Sequence, residues 1–358
     1  MLLLAGPARA AERFLAAVGE VRPTAAILWV RAPAPGEVDV EYGPLPAATP
    51  SRARLSVGRE TDLTGKLALT GLHPATRYAY RVEQGGQGVT GQFVTAPAPE
   101  QPGRVSLLWS GDLGGGRFCR RLDEGYRIFR AMLRHQADFF LFVGDTIYAD
   151  HRCGGPGLVP GADFEAHTLE QFRQKHRYNR EDPAHDAFLK STSVYAIWDD
   201  HEVRNDFAGP TEPLMPVGRQ AFLEYWPVAA SADDPTRLYR SFRWGRLLEI
   251  FILDTRQYRS DNGQPDGPGK TMLGNTQRRW LTDGVATSTA TWKVVVSSVP
   301  LSIPTGRPHR DSWSNASVWG LPQEGTGFAT ERDAILHTCA SAVFATSSSS
   351  PPTFTIRS

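Results

Sequence analysis

The sequence predicts an α/β protein with an all-β front. Three observations lead there. The first hundred residues alternate like half-buried strands, five later runs are almost continuously apolar, and helical periodicity is interleaved with those runs.

In the front segment, "TAAILWVRA" and "GEVDVEYG" read as strands separated by the turn "PAPG". "LALTGLHPATRYAYRVEQGG" places Leu69, Leu72, Tyr78, Tyr80 and Val82 around a proline turn. This stretch resembles the L-x-x-L-x-P-x-T-x-Y-x-Y-x-V pattern of fibronectin type III sandwiches. "TGQFVTAP" reads as a last strand, and the Pro-rich "APAPEQPG" as a linker. A domain boundary is expected near residue 102, so that 1–102 forms a β-sandwich with its linker.

Beyond the linker the runs are "RVSLLWSGD", "ADFFLFVGD", "SVYAIWDDHE", "LLEIFILDTR" and "TWKVVVSSVP". They do not alternate, as expected of strands covered on both faces. "EGYRIFRAMLRHQ" sets Ile128, Phe129, Met132 and Leu133 at helical spacing, and "FEAHTLEQFRQKHR" and "GRQAFLEYW" are further helix candidates. Residues 103–337 are therefore expected to form a layered α/β domain.

The 358 residues carry a net charge of +1 and a pI near 7.8, so no global field recruits nucleic acid or an anionic membrane. Function must come from local sites. The three cysteines, Cys119, Cys153 and Cys339, have no regular spacing. They suggest neither a disulfide framework nor a zinc finger. No stretch approaches the roughly 18 consecutive apolar residues of a membrane span. The start "MLLLAGPARAAERF" has a short apolar run before small residues but lacks a basic n-region. The chain as written thus reads as cytoplasmic, and as exported if the true start lies upstream with a signal peptide. A monomer is expected.

Four of the five apolar runs end at the carboxyl side in aspartate: Asp112, Asp145, Asp199 with Asp200, and Asp254. Ligands bind outside the carboxyl ends of strands in such sheets. Carboxylates meeting on one edge repel one another and carry raised pKa values unless a cation sits among them. "FFLFVGDTIYADH" adds Tyr148, Asp150 and His151, and "IWDDHEVRND" adds His201. Carboxylate, phenolate and imidazole suit Fe³⁺, Mn²⁺, Zn²⁺ or Ca²⁺. Two such cations about 3.5–4 Å apart share a carboxylate, clamp a phosphoryl group and activate a water.

"SGD", "VGDTIYAD" and "WDDHEV", in this order, resemble the calcineurin-like metallophosphoesterases, specifically their alkaline phosphatase D branch. "FILDTRQYR" and "LGNTQRRWL…TWKVVVSSVPL" add to the likeness, as does the sandwich in front, which that branch and the purple acid phosphatases carry. The resemblance spans nearly residues 20 to 335. It implies a metal-dependent hydrolase, an alkaline phosphatase or phosphodiesterase, that cleaves phosphate esters with metal-bound hydroxide at a dinuclear site, Fe³⁺ with Ca²⁺, Mn²⁺ or Zn²⁺. It further implies that Asp112 and Tyr148 bind the first metal, Asp145 bridges both, and Asp200 binds the second. His201 would donate a proton to the leaving alkoxide, and Arg256 would steady the phosphate.

Plainer readings stand beside these. Asp112 suits a turn or helix cap, and Tyr148 a packed core tyrosine. Asp199 and Glu202 suit structural hydrogen bonding, Arg256 a buried ion pair, and Asp150 and His151 an ordinary loop. Cys119 and Cys153 read as non-ligands, and His167, His176 and His185 as surface residues. At the level of the whole chain the alternative is a non-catalytic binding protein that works through its β-sandwich. A magnesium-dependent phosphoaspartate enzyme is disfavoured, because Leu113 and Gly114 follow Asp112 where a D-x-D would be needed.

The family pattern calls for a late apolar strand followed by Asp-Val-His. After "TERDAILH" the chain instead reads "TCASAVFATSSSSPPTFTIRS", a Ser/Pro-rich tail (338–358) unlike a strand. Shifting the reading frame so that each codon takes the last base of one codon and two of the next permits "VRERGVRNVVFLATDVHHTL" from Thr338 on. A one-nucleotide frameshift is therefore expected, and the chain as written is expected to be impaired by loss of C-terminal histidine ligands. Resequencing the locus tests this.

Overall fold

The computed structural model describes residues 13–46, 49–114, 119–306, 310–315, 326–346 and 353–357. Seven strands precede the linker: β1 (Leu15–Gly19), β2 (Ala25–Arg31), β3 (Gly36–Pro44), β4 (Ser51–Val57), β5 (Thr64–Thr70), β6 (Arg77–Gln84) and β7 (Gln87–Val94). Then come β8 (Leu107–Ser110), α1 (Arg127–Leu133), β9 (Phe139–Val143), α2 (Leu169–Arg180), α3 (Pro183–Ser191) and β10 (Ser193–Ile197). The chain continues with α4 (Met215–Tyr225), β11 (Arg240–Trp244), β12 (Leu248–Ile252), α5 (Gly274–Thr287), β13 (Trp292–Val296), α6 (Ala329–Thr346) and β14 (Thr353–Arg357). All five apolar runs are strands, and the three helical patterns are α1, α2 and α4.

The strands form three sheets, ordered β5-β2-β1-β10-β9-β8, β11-β12-β13-β14 and β4-β3-β6-β7. The last faces β5-β2-β1 and completes the front sandwich. Its partner sheet does not stop at the linker, because β1 runs parallel to β10 with Gly19 opposite Val194. Gly19 is required there: a Cβ would lie 2.5 Å from the Val194 carbonyl oxygen and from Pro227. Front and α/β part therefore share one six-stranded sheet.

The α/β part is two layers. β8, β9 and β10 are parallel, as are β12, β13 and β14. Aromatic rings join the layers: Phe139 lies 4.6 Å from Trp244 and Tyr195 lies 4.5 Å from Phe242. The Trp244 indole donates to the Tyr195 hydroxyl at 2.7 Å, which keeps the buried polar atoms satisfied.

Several expectations are corrected. Residues of the tail form the strand β14, parallel to β13 with Thr353 opposite Trp292, and α6 runs unbroken through Thr338. Cys119 and Cys153 form a disulfide across 34 residues, which spacing alone could not reveal because connectivity is set by the fold. His176 and His185 are buried, not on the surface, since their helix faces pack inward. His176 stacks on Tyr225 and His185 on Phe129. Ile128 is exposed at the start of the short α1, whereas Phe129 and Met132 take the inner face. Besides β1, β4, α5 and α6, two further elements were not anticipated. One is α3, capped by the Asp182 carboxylate on the Ala184 and His185 N–H groups with Pro183 in its first turn; the other is β11. Among the described residues no helix is long and apolar enough to cross a membrane.

Candidate metal centre

Three parallel strands deliver the site. Asp112 follows β8, Asp145 follows β9, and Asp199 and Asp200 follow β10, so their carboxylates emerge at one sheet edge. The turns are sharp: Asp112 and Asp145 both have positive φ, at 59° and 52°. Left-handed backbone is uncommon for a residue with a Cβ, although Asp tolerates it best, and such residues gather at functional sites. Gly144 precedes Asp145 with φ of 100°, and a Cβ there would lie 2.5 Å from the Asp199 Cβ. Only glycine lets the ends of β9 and β10 approach so closely. The Asp112 and Leu113 N–H groups donate to the carbonyls of Gly144 and Asp145, at 3.3 and 2.9 Å, which sets the first loop against the second.

Glu202 locks the second loop to the third. Its carboxylate accepts from the Thr146 N–H at 2.6 Å, the Thr146 hydroxyl at 2.7 Å and the Asp199 N–H at 2.9 Å. Burial pushes this acid up, and the three donors work against that.

Within this frame one ligand atom each of Asp145, Asp200 and His201 lie within 4.8 Å of one another, all three residues buried. The Tyr148 hydroxyl donates to Asp112 Oδ1 at 3.3 Å and also borders Asp145. Asp112, Asp145, Tyr148, Asp200 and His201 thus line a single hollow. Burial raises Asp145 well above the usual carboxylate range, and the charges of Asp200, Asp199 and Glu202 add to this. Burial, then Asp145 and Asp112 beside it, push the Tyr148 phenol upward. Among the described residues no lysine or arginine forms an ion pair with Asp145. Crowded carboxylates, with phenol and imidazole beside them and no lysine or arginine paired to the central Asp145, are a donor set that fits a hard or borderline cation.

His201 is held from behind. Its Nδ1 meets Asp150 Oδ1 at 2.7 Å, while Asp150 Oδ2 accepts from the Asn205 N–H at 2.7 Å. Burial lowers an imidazole pKa, but the Asp150 hydrogen bond and the charges of Asp200, Asp150 and Glu202 outweigh it and raise His201. Tyr148 stacks on its ring at 4.2 Å. Asp150 was left open between loop and partner; the structure makes it the partner. His151 lies at the rim, exposed, with its ring 4.9 Å from that of His201.

Arg256 was expected to steady a phosphate, and this is corrected. It is fully buried and its donors are engaged. Nε donates to Asp199 at 2.7 Å, while Nη1 and Nη2 form a fork on Asp311 at 2.9 and 2.8 Å. Nη2 also stands 3.7 Å from Asp200. Arg256 therefore positions the carboxylates behind the hollow. Asp311, its partner, was missed because it lies in a loop far along the chain. It also pairs with the buried Arg259, and the two guanidiniums hold its carboxyl well below the usual range despite burial. Asp254 does not join the hollow. It accepts from the Trp198 indole and from the N–H groups of Arg256 and Gln257 at 3.0–3.1 Å, shaping the turn after β12.

With this geometry in place, the comparisons with known proteins decide the family. The family model for PhoD-like phosphatase matches residues 117–346, and that for the PhoD-like phosphatase N-terminal domain matches residues 8–97. The chain belongs to the PhoD-like phosphatase family. It is 28% identical over 259 residues to alkaline phosphatase D of Bacillus subtilis (strain 168), a match that covers 64% of this chain and 43% of that protein. The chain thus spans less than half the length of this curated relative. A solved structure described as "Structure of PhoD" superposes with a TM-score of 0.75 at 23% identity, covering 92% of this chain and 69% of that one. Both layers and the front sandwich are accordingly the fold of this family.

Proposed function

We propose that the chain is a metal-dependent phosphoesterase acting on phosphate monoesters or diesters. The observation behind this reading is the meeting of Asp112, Asp145, Tyr148 and Asp200 beside His201 at one sheet edge. In this proposal Asp112 and Tyr148 would hold a first cation and Asp200 a second, with Asp145 available as a ligand to either. Phenolate and carboxylate donors favour Fe³⁺ for the first and Ca²⁺, Mn²⁺ or Zn²⁺ for the second. Bound cations would neutralise the charge of the transferring phosphoryl group and make water acidic enough to attack it.

The protein's own residues do the rest. Asp150 on Nδ1 of His201 fixes the ring and leaves Nε2 to deliver a proton to the departing ester oxygen. Arg256, locked to Asp199 and Asp311, keeps Asp200 aimed at the hollow. The same proposal gives this chain low activity, because residues 338–358 carry no histidine where the family pattern calls for Asp-Val-His.

Hydrolysis of p-nitrophenyl phosphate and bis-p-nitrophenyl phosphate, with Mn²⁺ or with Fe³⁺ and Ca²⁺ supplied, tests the reading. The frame-corrected chain is expected to turn over at least one substrate, and this chain is expected to be far slower. Metal-loaded protein of both kinds that hydrolyses neither would overturn the proposal.

A further inference from the structure

At the mouth of the hollow stands a second donor cluster of different character. One ligand atom each of Asp150, His151 and His201 lie within 4.8 Å of one another. Two imidazoles and one carboxylate are borderline donors, the set that suits Zn²⁺ and its neighbours in the transition series. The inner hollow offers mainly hard oxygen.

The backbone under this cluster is unusually well fixed. The Ala149 N–H donates to the His201 carbonyl at 2.8 Å, tying the two histidine-bearing segments together. The ammonium of buried Lys175 donates to the His151 carbonyl and, at 2.9 Å, to the Ala162 carbonyl. Two residues on, Cys153 is bonded to Cys119, and its N–H donates to Ala162 at 2.9 Å. The backbone that carries His151 is thus fixed beside His201, and only its exposed ring has to turn to meet a ligand. Nothing in the phosphoesterase reading uses His151.

We propose that Asp150, His151 and His201 form a rim site for a Zn²⁺-class cation, distinct from the inner centre. Tetrahedral zinc with bonds of about 2.0–2.2 Å needs its donors about 3.3 Å apart. Asp150 and His201 already touch at 2.7 Å, so an ion entering between them displaces their shared hydrogen bond. The exposed His151 ring turns in to complete three protein ligands, with water as the fourth. The consequence rests on the phosphoesterase reading: a zinc ion here withholds His201 from proton transfer, so the rim site is inhibitory.

Equilibrium zinc titration against a chromophoric indicator tests the site, with saturating Ca²⁺ present and with Co²⁺ as a visible-spectrum probe in parallel. The protein is expected to bind Zn²⁺ and to give the intense Co²⁺ absorption of a tetrahedral nitrogen-containing site. His151→Ala should weaken zinc binding at least tenfold and dim that band, and Asp145→Asn should leave both in place. Unchanged zinc binding in His151→Ala, or its loss in Asp145→Asn, would overturn the proposal. In a hydrolytically active preparation, micromolar zinc should inhibit the parent and His151→Ala should escape. Zinc bound through His151 in a frame-corrected protein without any hydrolysis would support the site and count only against the phosphoesterase reading.

Discussion

Glu202 shows how a residue that touches no substrate decides the site. Two oxygens receive three donors, one loop on each side, and the side chain has no exposure to solvent. Glutamine in its place keeps one acceptor oxygen but turns an NH₂ group toward a donor. Glu202→Gln is therefore expected to cost about 1–3 kcal/mol, read as a lower urea midpoint at unchanged slope. At this scale the sequence was informative where chemistry and strand ends coincide. Asp112, Asp145, Tyr148, Asp200 and His201 stand out by their places after apolar runs, and the structure brings them together at one sheet edge. Arg256 was legible as a residue of consequence but not in its partners, because Asp311 lies 55 residues away and no local pattern joins them. His176 and His185 were misjudged because a polar residue in a helix of mixed composition does not announce which face it shares.

Elements carry the next layer of the account. The loop after β13 brings Asp311 under Arg256 and Arg259, and this buried triad braces the turn that holds Asp199 and Asp200. Asp311→Asn would take the paired carboxylate from buried Arg259 and leave Arg256 leaning on Asp199 and Asp200, a change of the kind that costs about 3–5 kcal/mol. A drop in melting temperature that metal addition does not restore is the expected result. The continuous apolar runs made the five central strands readable, since strands covered on both faces leave no alternation to confuse. β11 and α3 escaped because each is only half-covered, β11 mixing arginines into its pattern and α3 histidine, aspartate and lysine. β14 was hidden by serine and proline around it; its pairing with β13 is a tertiary property that composition does not report.

Across the whole molecule, front and α/β part act as one body. Besides the shared sheet, Asp62 beyond β4 pairs with Arg31 and Arg177 and accepts from Tyr225, while Glu20 after β1 accepts from Arg240 and, at 3.0 Å, from the Ala229 N–H. Stability should therefore respond to pH as a unit. Burial, then the charge of Arg180, pushes both His176 and His185 down to about 3. Folded, they stay neutral where the unfolded chain takes up protons near pH 6.5. Their contribution is thus complete above pH 6.5 and declines as the solution is acidified toward 3, by about 1.4 kcal/mol per pH unit for each. Urea unfolding at pH 7 and pH 5 should show this loss, and His176→Phe, which keeps a ring against Tyr225, should reduce it.

The inner centre has a signature in stability that activity alone does not give. Asp145 is crowded by other acids without cation, so Asp145→Asn should relieve the metal-free fold, whereas in the parent a bound ion turns the same crowding into affinity. Melting temperatures of both proteins at pH 8, in chelator and in saturating Mn²⁺, test this most directly. The expected result is an inversion, with the variant melting higher in chelator and the parent higher in Mn²⁺. A variant that melts below the parent in both, or a parent that Mn²⁺ fails to stabilise, would contradict the account.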